Sequence, residues 1–354
     1  MNRPSVRAVP RAAHLRQKHG NLLPGPEDHT DMSSDAASAS PRFIQLHRED
    51  ATELRAELVH GLVQTPAQVA PKFLYDALGS RLFEAITELP EYDPTRTEAA
   101  IFQADGLAIA HALGAGATLI DLGAGNCAKA ARLLTLLDAR RYVAVDISVD
   151  FLRDALQALA RQHPRLETLG IGLDFSNALD LPAEACEGRP VFFYPGSSIG
   201  NFTRPQALAF LRRIRERASG GGLLIGVDLV KPAAILEPAY DDALGVTAAF
   251  NLNLLRYLNR LIGSDFEPRQ WRHVAFFDRA QSRIEMHLQA REALVVRWSG
   301  GARAFADGER IHTENSYKHT LEGFAELLRE AGFVATRHWT DAQQWFAVWW
   351  ARAL

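Results

Sequence analysis

Five short apolar runs alternate with helix-like stretches through the middle of the chain, and this pattern limits the fold more than any other feature. The runs span 118–122, 142–146, 168–173, 191–195 and 222–227, and the helical patterns between them span 127–138, 149–162 and 205–218. Strands this apolar need cover on both faces, which the crossover helices of a parallel sheet provide. The sequence therefore predicts an α/β core with a Rossmann-like parallel sheet.

The segments before this core have different patterns. Apolar residues at helical spacing predict helices in 51–89, where prolines break the segment, and in 98–113, after a loop at PEYDPTRTE. The first 42 residues carry five arginines and a lysine but no acid before Glu27, and they include the polar run SSDAASAS. We predict a disordered tail, with a transit peptide or a true start at Met32 as alternatives.

The segments after the core also change pattern. Over 232–318 a helix-like run at 240–262 precedes alternating segments at 281–298 and a Gly-rich turn, which indicates an inserted α+β subdomain. A helix and two strands, at 333–339 and 345–352, complete the chain. We expect these strands to form an antiparallel hairpin.

Composition excludes several classes of protein. Hydrophobic residues make up 47% and charged residues 23% of the 354 residues, the ordinary balance of a folded protein. With 42 acidic against 39 basic side chains, nucleic acid is not an expected partner. No apolar run approaches the roughly 18 residues that span a bilayer, so we expect no membrane partner. Two cysteines, Cys127 and Cys186, indicate a reducing compartment, and we expect a cytoplasmic protein.

The segment TLIDLGAGNCAK puts a strand, a Gly-x-Gly turn and a helix start in order. Gly123 and Gly125 permit a tight turn and close approach of a ligand to the backbone. The motif alone fits a dinucleotide fold, an S-adenosylmethionine fold or a turn without a ligand. Asp121 would repel a pyrophosphate but would pair with the ammonium of a methionine moiety, which favours S-adenosylmethionine and methyl transfer.

Three later strand ends carry further candidates. Asp146 lies 23 positions after Gly123, near the spacing at which a carboxylate accepts ribose hydroxyls. Asp174 and Phe175 follow the third strand, where they would bond to an adenine and stack on it. Asn201 follows the fourth, at the carboxyl edge where open α/β sheets bind ligands. Each has a structural alternative, a helix cap for Asp146 and Asn201 and a turn for Asp174 with Phe175.

Longer segments resemble a known family. The resemblance is carried by PKFLYDALGSRLFEAITELPEYDPTRTE, DLGAGNCAK, PGSSIGNF, DLVK, AYDDALGVTAAFNLNLLRYLNR, SRIEMHL and HTENSYKHT. These resemble the histidine-specific S-adenosylmethionine-dependent methyltransferases, which make hercynine in ergothioneine biosynthesis, over about residues 43–354. The resemblance implies a doubly wound class I methyltransferase core with an antiparallel last strand at 98–231 and 319–354. It also implies a smaller α+β substrate-binding domain at 43–97 and 232–318.

The resemblance assigns roles to individual residues, with S-adenosylmethionine as cofactor and L-histidine as substrate. The cofactor site would comprise Tyr75, Asp121, Gly123, Lys129, Asp146, Asp174 and Phe175. The histidine site would comprise Tyr92, Asn201, Tyr240, Met286, Glu314 and Ser316, with Asn201 and Tyr92 closest to the chemistry. Asp93 departs from the family pattern because many relatives have a second aromatic residue there. Asn315 lies between two of the proposed contacts, Glu314 and Ser316.

These residue types suit the implied reaction. Glu314 would accept the imidazole N–H while the Tyr92 hydroxyl serves the other ring nitrogen. Asn201 would orient the α-amine, and Tyr240 with Ser316 would hold the carboxylate. Methyl transfer to nitrogen depends mainly on positioning a neutral amine at near-attack distance, so no strong base is required.

Other functions stay open at the level of sequence. The enzyme alternative is Nα-methylation of another aromatic amino acid or of a histidine derivative, and a second alternative is a non-catalytic sensor of S-adenosylmethionine or histidine. The glycine motif alone also fits an NAD-dependent oxidoreductase. We expect no metal site, because His287, His312, His319 and His338 lack ligand spacing with supporting residues. We expect a monomer.

Overall fold

The computed structural model describes residues 40–46, 50–147, 149–176 and 178–354, so the predicted tail up to residue 39 and the alternative start at Met32 lie outside it. Its strands, in chain order, are β1 (Arg42–Gln45), β2 (Ala67–Gln68), β3 (Thr118–Leu122), β4 (Arg141–Asp146), β5 (Glu167–Gly172), β6 (Pro190–Tyr194), β7 (Gly222–Asp228), β8 (Trp271–Asp278), β9 (Arg283–Ala290), β10 (Leu294–Trp298), β11 (Gly301–Phe305), β12 (Arg310–Tyr317), β13 (Val334–Thr340) and β14 (Phe346–Arg352). Its α-helices are α1 (Ala51–Val63), α2 (Ala77–Thr87), α3 (Asp93–Leu113), α4 (Ala128–Leu134), α5 (Val149–Gln162), α6 (Arg204–Arg217), α7 (Ala233–Leu236), α8 (Val246–Ile262) and α9 (Leu321–Glu330). Short 3-10 helices lie at Pro71–Leu74, Ala183–Cys186, Ser198–Asn201 and Pro268–Gln270.

Eight of the described strands form one large sheet in the order β1-β5-β4-β3-β6-β7-β14-β13. The strands from β1 to β7 in this order run parallel, and β14 runs antiparallel to both of its neighbours. The five predicted core strands match β3 to β7 to within one residue at each end, and the predicted hairpin is β13 with β14. The expected mostly parallel sheet with an antiparallel last strand is confirmed.

Helices cover both faces of the large sheet. On one face α6 and α9 bury Phe210, Leu211 and Phe324. On the other face α3 and α5 bury Ile101 and Leu152. This double cover explains why the five core strands are mostly apolar on both faces, and it makes the sheet doubly wound.

A second sheet has the order β2-β12-β9-β8 among the described residues. Helices α1 and α8 bury apolar side chains such as Leu58 and Leu254 against it, together with Trp271 and Met286. The predicted alternating region 281–298 is two strands, β9 and β10, and the sequence analysis did not predict β8 or β12 as sheet partners. In β8 two consecutive phenylalanines, Phe276 and Phe277, obscure the alternation that indicates a half-buried strand.

Some boundaries and one strand differ from the sequence prediction. The segment PEYDPTRTE was predicted as a loop, but α3 already begins at Asp93. Pro94 lies in the first turn, where its fixed φ suits a helix and no N–H is needed. The predicted helix at 127–138 ends at Leu134. The strand β1 was not predicted, and it pairs with β5 at the edge of the large sheet.

The two sheets meet where β6, β7 and β12 end. Leu229, which follows β7, forms an isolated parallel bridge with His319, which follows β12. The 3-10 helix at Ser198–Asn201 packs on β12 so closely that a Cβ on Gly200 would lie 2.9 Å from the Tyr317 carbonyl oxygen. Glycine at this position therefore lets the carboxyl end of β6 approach the second sheet.

We predict that Phe210→Ala lowers the free energy of unfolding by about 3–5 kcal/mol, because it leaves a cavity in the core of the large sheet. The Phe210 ring is fully buried and lies 5.0 Å from the Tyr194 ring centroid and 6.1 Å from that of Phe175. The control is Leu208→Ala on the same helix, which is half-buried and should cost much less. Urea unfolding measures both, and equal losses would contradict the assignment of Phe210 to the core.

Candidate active site

The glycine turn after β3 is held in the shape that the sequence predicts. Gly123 and Gly125 have φ values of 72° and 52°, which favour glycine. The Gly125 N–H donates to Asp146 Oδ2 at 2.9 Å, so Asp146 closes the turn from the end of β4. A Cβ on Gly123 would lie 3.7 Å from the Phe175 ring. Three predicted cofactor residues, Gly123, Asp146 and Phe175, therefore lie together.

Asp121 is buried beneath this turn, with 2% of its surface exposed. Its Oδ2 accepts a hydrogen bond of 2.7 Å from the Tyr142 hydroxyl, whereas its Oδ1 has no partner among the described residues. Burial raises the pKa of Asp121 to about 7, against the opposing effects of the Tyr142 hydrogen bond and the Lys129 charge. Sequence analysis did not single out Tyr142, because its place in an apolar strand gave no polar signal.

Lys129 is fixed by an acid that the sequence analysis missed. Its Nζ lies 2.8 Å from Glu98 Oε2, and Glu98 Oε1 accepts the Gly196 N–H at 2.8 Å. Glu98 is buried, so this pair ties α3 and α4 to the turn after β6. The sequence signal that could have identified Glu98 is a carboxylate on an otherwise apolar face of a helix.

Asp174 forms the turn that was its structural alternative and also pairs with a lysine. Its Oδ1 accepts the Ser176 N–H at 3.0 Å, which makes the turn that was the structural alternative. Its Oδ2 lies 3.3 Å from Lys72 Nζ, which also pairs with Glu57 at 2.9 Å. Burial alone would raise the pKa of Asp174, but the Ser176 hydrogen bonds and the Lys72 charge outweigh it and hold the pKa below its ordinary value.

Aromatic rings form the wall between the cofactor residues and the second sheet. Tyr75 lies 5.5 Å from both Phe83 and Phe250, measured between ring centroids, and the Tyr92 and Tyr240 centroids are 6.1 Å apart. Burial raises the pKa of each of the three tyrosines well above its ordinary value, so their hydroxyls stay protonated near neutral pH. The wall therefore presents ring faces and neutral hydroxyl groups.

Glu314 lies on β12 opposite Met286 of β9. It is 7% exposed, and its Oε2 has no hydrogen-bond partner within the described parts of the chain. Burial raises the pKa of Glu314 to about 7, and the Lys318 charge opposes this rise. Asn315, the next residue, bonds instead to His312, with 2.9 Å between Oδ1 and Nε2, on the other face of the strand.

Ser316 and Tyr240 come together as the sequence analysis predicts, with 2.7 Å between their hydroxyl oxygens. Lys318, which was not predicted, donates to Ser316 Oγ at 2.8 Å and to Tyr240 Oη at 3.0 Å. Its Nζ also lies 2.7 Å from Asp228 Oδ2.

A second buried lysine, Lys231, completes this network. It pairs with Asp228 at 2.8 Å and with Asp93, the residue at which the family pattern departs. All of these charged side chains are buried.

Asn201 ends the 3-10 helix after β6 and is half-buried. The alternative that it caps the following helix is wrong, because α6 begins after Thr203, whose N–H donates to Gln206 Oε1 at 2.9 Å. Ser197, four residues earlier, accepts the Asp228 N–H with its Oγ at 2.9 Å. The turn that carries Asn201 is thus bonded to the end of β7.

Two features are absent from the part of the chain that the structure describes. No group of three or more His, Cys, Asp or Glu side chains lies close enough together to hold a metal ion. Among the described helices, none is both long and apolar enough to cross a membrane.

The chain matches known proteins over most of its length. The model of a family described as histidine-specific methyltransferase, SAM-dependent, matches residues 54–353. A histidine N-alpha-methyltransferase of Mycolicibacterium smegmatis is 41% identical, covering 82% of this chain and 92% of its own. A histidine N-alpha-methyltransferase of Mycobacterium tuberculosis is 39% identical, and the match covers 83% of this chain and 93% of that protein. Ergothioneine biosynthesis protein 1 of Neurospora crassa is 31% identical over 79% of this chain and 32% of its own. The chain therefore belongs to the histidine-specific S-adenosylmethionine-dependent methyltransferases.

Proposed function

We propose that this protein transfers methyl groups from S-adenosylmethionine to the α-amino nitrogen of L-histidine, giving hercynine after three transfers in the first step of ergothioneine biosynthesis. The observation that carries the choice of substrate is Glu314, a buried carboxylate with an unpartnered oxygen in a wall of aromatic rings. Such a group is costly unless a ligand supplies a donor, and a neutral imidazole supplies one ring N–H. The names of the relatives agree with this choice.

The residues beside β3 to β5 fit S-adenosylmethionine. The free Asp121 Oδ1 suits the methionine ammonium, and the backbone at Gly123 leaves space beside the Phe175 ring. We assign the cofactor site to Tyr75, Asp121, Gly123, Lys129, Asp146, Asp174 and Phe175. When bound, the cofactor supplies a sulfonium methyl group for in-line displacement.

The residues of the second sheet and of β6 suit an amino acid. We propose that Glu314 and Tyr92 hold the two ring nitrogens and that Met286 packs beside the ring. Asn201 then accepts a hydrogen bond from the α-amine, and Tyr240 with Ser316 holds the carboxylate.

These residues position a neutral amine, and none needs to act as a strong base. The α-ammonium titrates at about pH 8 to 9, so a fraction of the substrate is already deprotonated in solution. The buried tyrosines stay neutral, and their ring faces stabilise the growing positive charge on nitrogen by cation–π attraction. That attraction favours completion of three transfers.

We propose the same division of the chain as the sequence analysis, with the substrate-binding part built from 43–97 and 232–318, except that β1 belongs to the large sheet. We also propose a monomer, because one chain provides every residue assigned to the site. The free cysteines, Cys127 and Cys186, are consistent with a cytoplasmic enzyme.

The reaction is tested by incubating the purified protein with S-adenosylmethionine and each of the twenty amino acids, followed by mass spectrometry of the small molecules. A gain of three methyl groups on histidine alone is the expected result. Methylation of another aromatic amino acid instead would overturn the assignment of Glu314. Binding of both ligands without any product would identify a sensor.

We predict that Glu314→Ala raises the KM for L-histidine about 100-fold and changes the KM for S-adenosylmethionine little, because a charged hydrogen bond to the ring is lost. Asn315→Ala, on the other face of the same strand, is the control and should keep both values. Initial rates measured by product formation provide the comparison. Equal rises for both substrates would refute the ring-binding role.

We predict the reverse pattern for Asp146→Ala, with the Kd for S-adenosylmethionine rising at least 10-fold and the KM for histidine nearly unchanged. The substitution removes both the ribose acceptor and the partner of the Gly125 N–H. Asp154→Ala, exposed on α5, is the control. Isothermal titration calorimetry measures the affinity, and an unchanged Kd would exclude the ribose role.

We predict that the ligand-free protein loses stability relative to an Asp121→Asn variant as the pH rises from 5 to 8. The pKa of Asp121 is about 7 when folded, above its ordinary value of 3.8. Between these two values the carboxyl group ionises in the unfolded protein but stays protonated in the folded protein, so stability falls as the pH rises. The cost grows by roughly 2–3 kcal/mol between pH 5 and 8. Urea unfolding at both pH values measures it, and parallel changes in the two proteins would contradict the raised pKa.

A further inference from the structure

Lys318 is buried directly behind the hydroxyl groups assigned to the substrate carboxylate. It is 4% exposed, and its Nζ contacts Asp228 Oδ2 at 2.7 Å, Ser316 Oγ at 2.8 Å and Tyr240 Oη at 3.0 Å. Two of the N–H donors of the ammonium group bond to the hydroxyl oxygens, and the Asp228 carboxylate lies beside the ammonium as an ion pair. Lys318 therefore acts on a ligand through the two hydroxyls.

The hydrogen atoms of the hydroxyl pair can be counted. Each oxygen accepts one hydrogen bond from Lys318, and the two oxygens lie 2.7 Å apart, so one hydroxyl donates to the other. Two O–H hydrogens minus the one used between them leaves one donor for a ligand. An O–H whose oxygen already accepts from an ammonium is a stronger donor, and so it suits an anionic acceptor.

The charge nearest to the hydroxyl pair is that of the Lys318 ammonium, which favours an anionic ligand. Lys318 and Lys231 balance Asp228 and Asp93, so this buried group is neutral as a whole. Glu314 lies two residues before Ser316 on the same strand face and repels a second carboxylate when it is ionised. Of the two lysines, Lys318 is the one placed between the ligand hydroxyls and Asp228, and its charge offsets this repulsion.

We propose that Lys318 is a positioning residue that turns the Tyr240–Ser316 hydroxyl pair into a carboxylate site, and so restricts the substrate to α-amino acids with a free carboxylate. This inference deepens the proposed function and rests on it. The substrate class follows from the single polarised donor, since an amide or an amine at the same position gains less from it.

The test compares L-histidine with L-histidinamide, which lacks the negative charge, as methyl acceptors. The wild-type enzyme should have at least a 100-fold higher kcat/KM for L-histidine. Lys318→Met should lower kcat/KM for L-histidine about 100-fold and change that for L-histidinamide less than 5-fold, so that the preference disappears. The Kd for S-adenosylmethionine should stay within 3-fold, which also shows that the variant is folded.

Lys231→Met is the matched control, because it removes the other lysine of the same buried network and does not touch the hydroxyls. It should keep the wild-type preference for L-histidine. Ser316→Ala keeps every charge, and it should lower the preference about 10-fold even if Lys318→Met does not fold.

If Lys318→Met and Ser316→Ala each lower kcat/KM equally for L-histidine and L-histidinamide, the preference for L-histidine is unchanged. That result would overturn the inference. A wild-type enzyme that does not methylate L-histidine would overturn the proposed function instead.

Discussion

Two buried lysines and two buried aspartates join the segments that surround the site. Asp93 begins α3 next to Tyr92, Asp228 ends β7, and Lys318 follows β12. Removing one member of such a network leaves an uncompensated buried charge, which costs about 3–5 kcal/mol. The network therefore fixes the distance between the large sheet and the second sheet, and with it the space between the proposed cofactor and substrate residues.

Two other buried carboxylates lack a hydrogen-bond partner on one oxygen atom within the described residues. Asp121 and Glu314 each keep a buried oxygen without a partner among the described residues, and burial raises the pKa of each to about 7. Both groups lower the stability of the empty protein at neutral pH. Each oxygen gains a hydrogen-bond partner when a ligand supplies a donor. Ligand binding therefore stabilises the folded protein through these two atoms.

The sequence predicted what depends on local patterns and missed what depends on tertiary contacts. The strands β3 to β7 were predicted to within one residue because a buried parallel strand is an apolar run of fixed length. The residues Tyr75, Tyr92, Tyr240, Glu314 and Ser316 were proposed as site residues because they lie in motifs that resemble a family. Glu98, Tyr142 and Lys318 were missed because their roles come from partners that lie far away in the chain. No local pattern shows that Asp93 at a helix start will meet a lysine after β7.

Glu314 is a buried carboxylate, and we propose that it accepts the ring N–H of the substrate. Carbon-13 NMR of the glutamate carboxyl groups, assigned with a Glu314→Gln variant, measures its titration directly. The pKa of Glu314 should be about 7 in the ligand-free protein and should fall when L-histidine is bound, because a ring N–H then stabilises the ionised form. A pKa near 4.5 in the free protein, unchanged by L-histidine, would contradict the account.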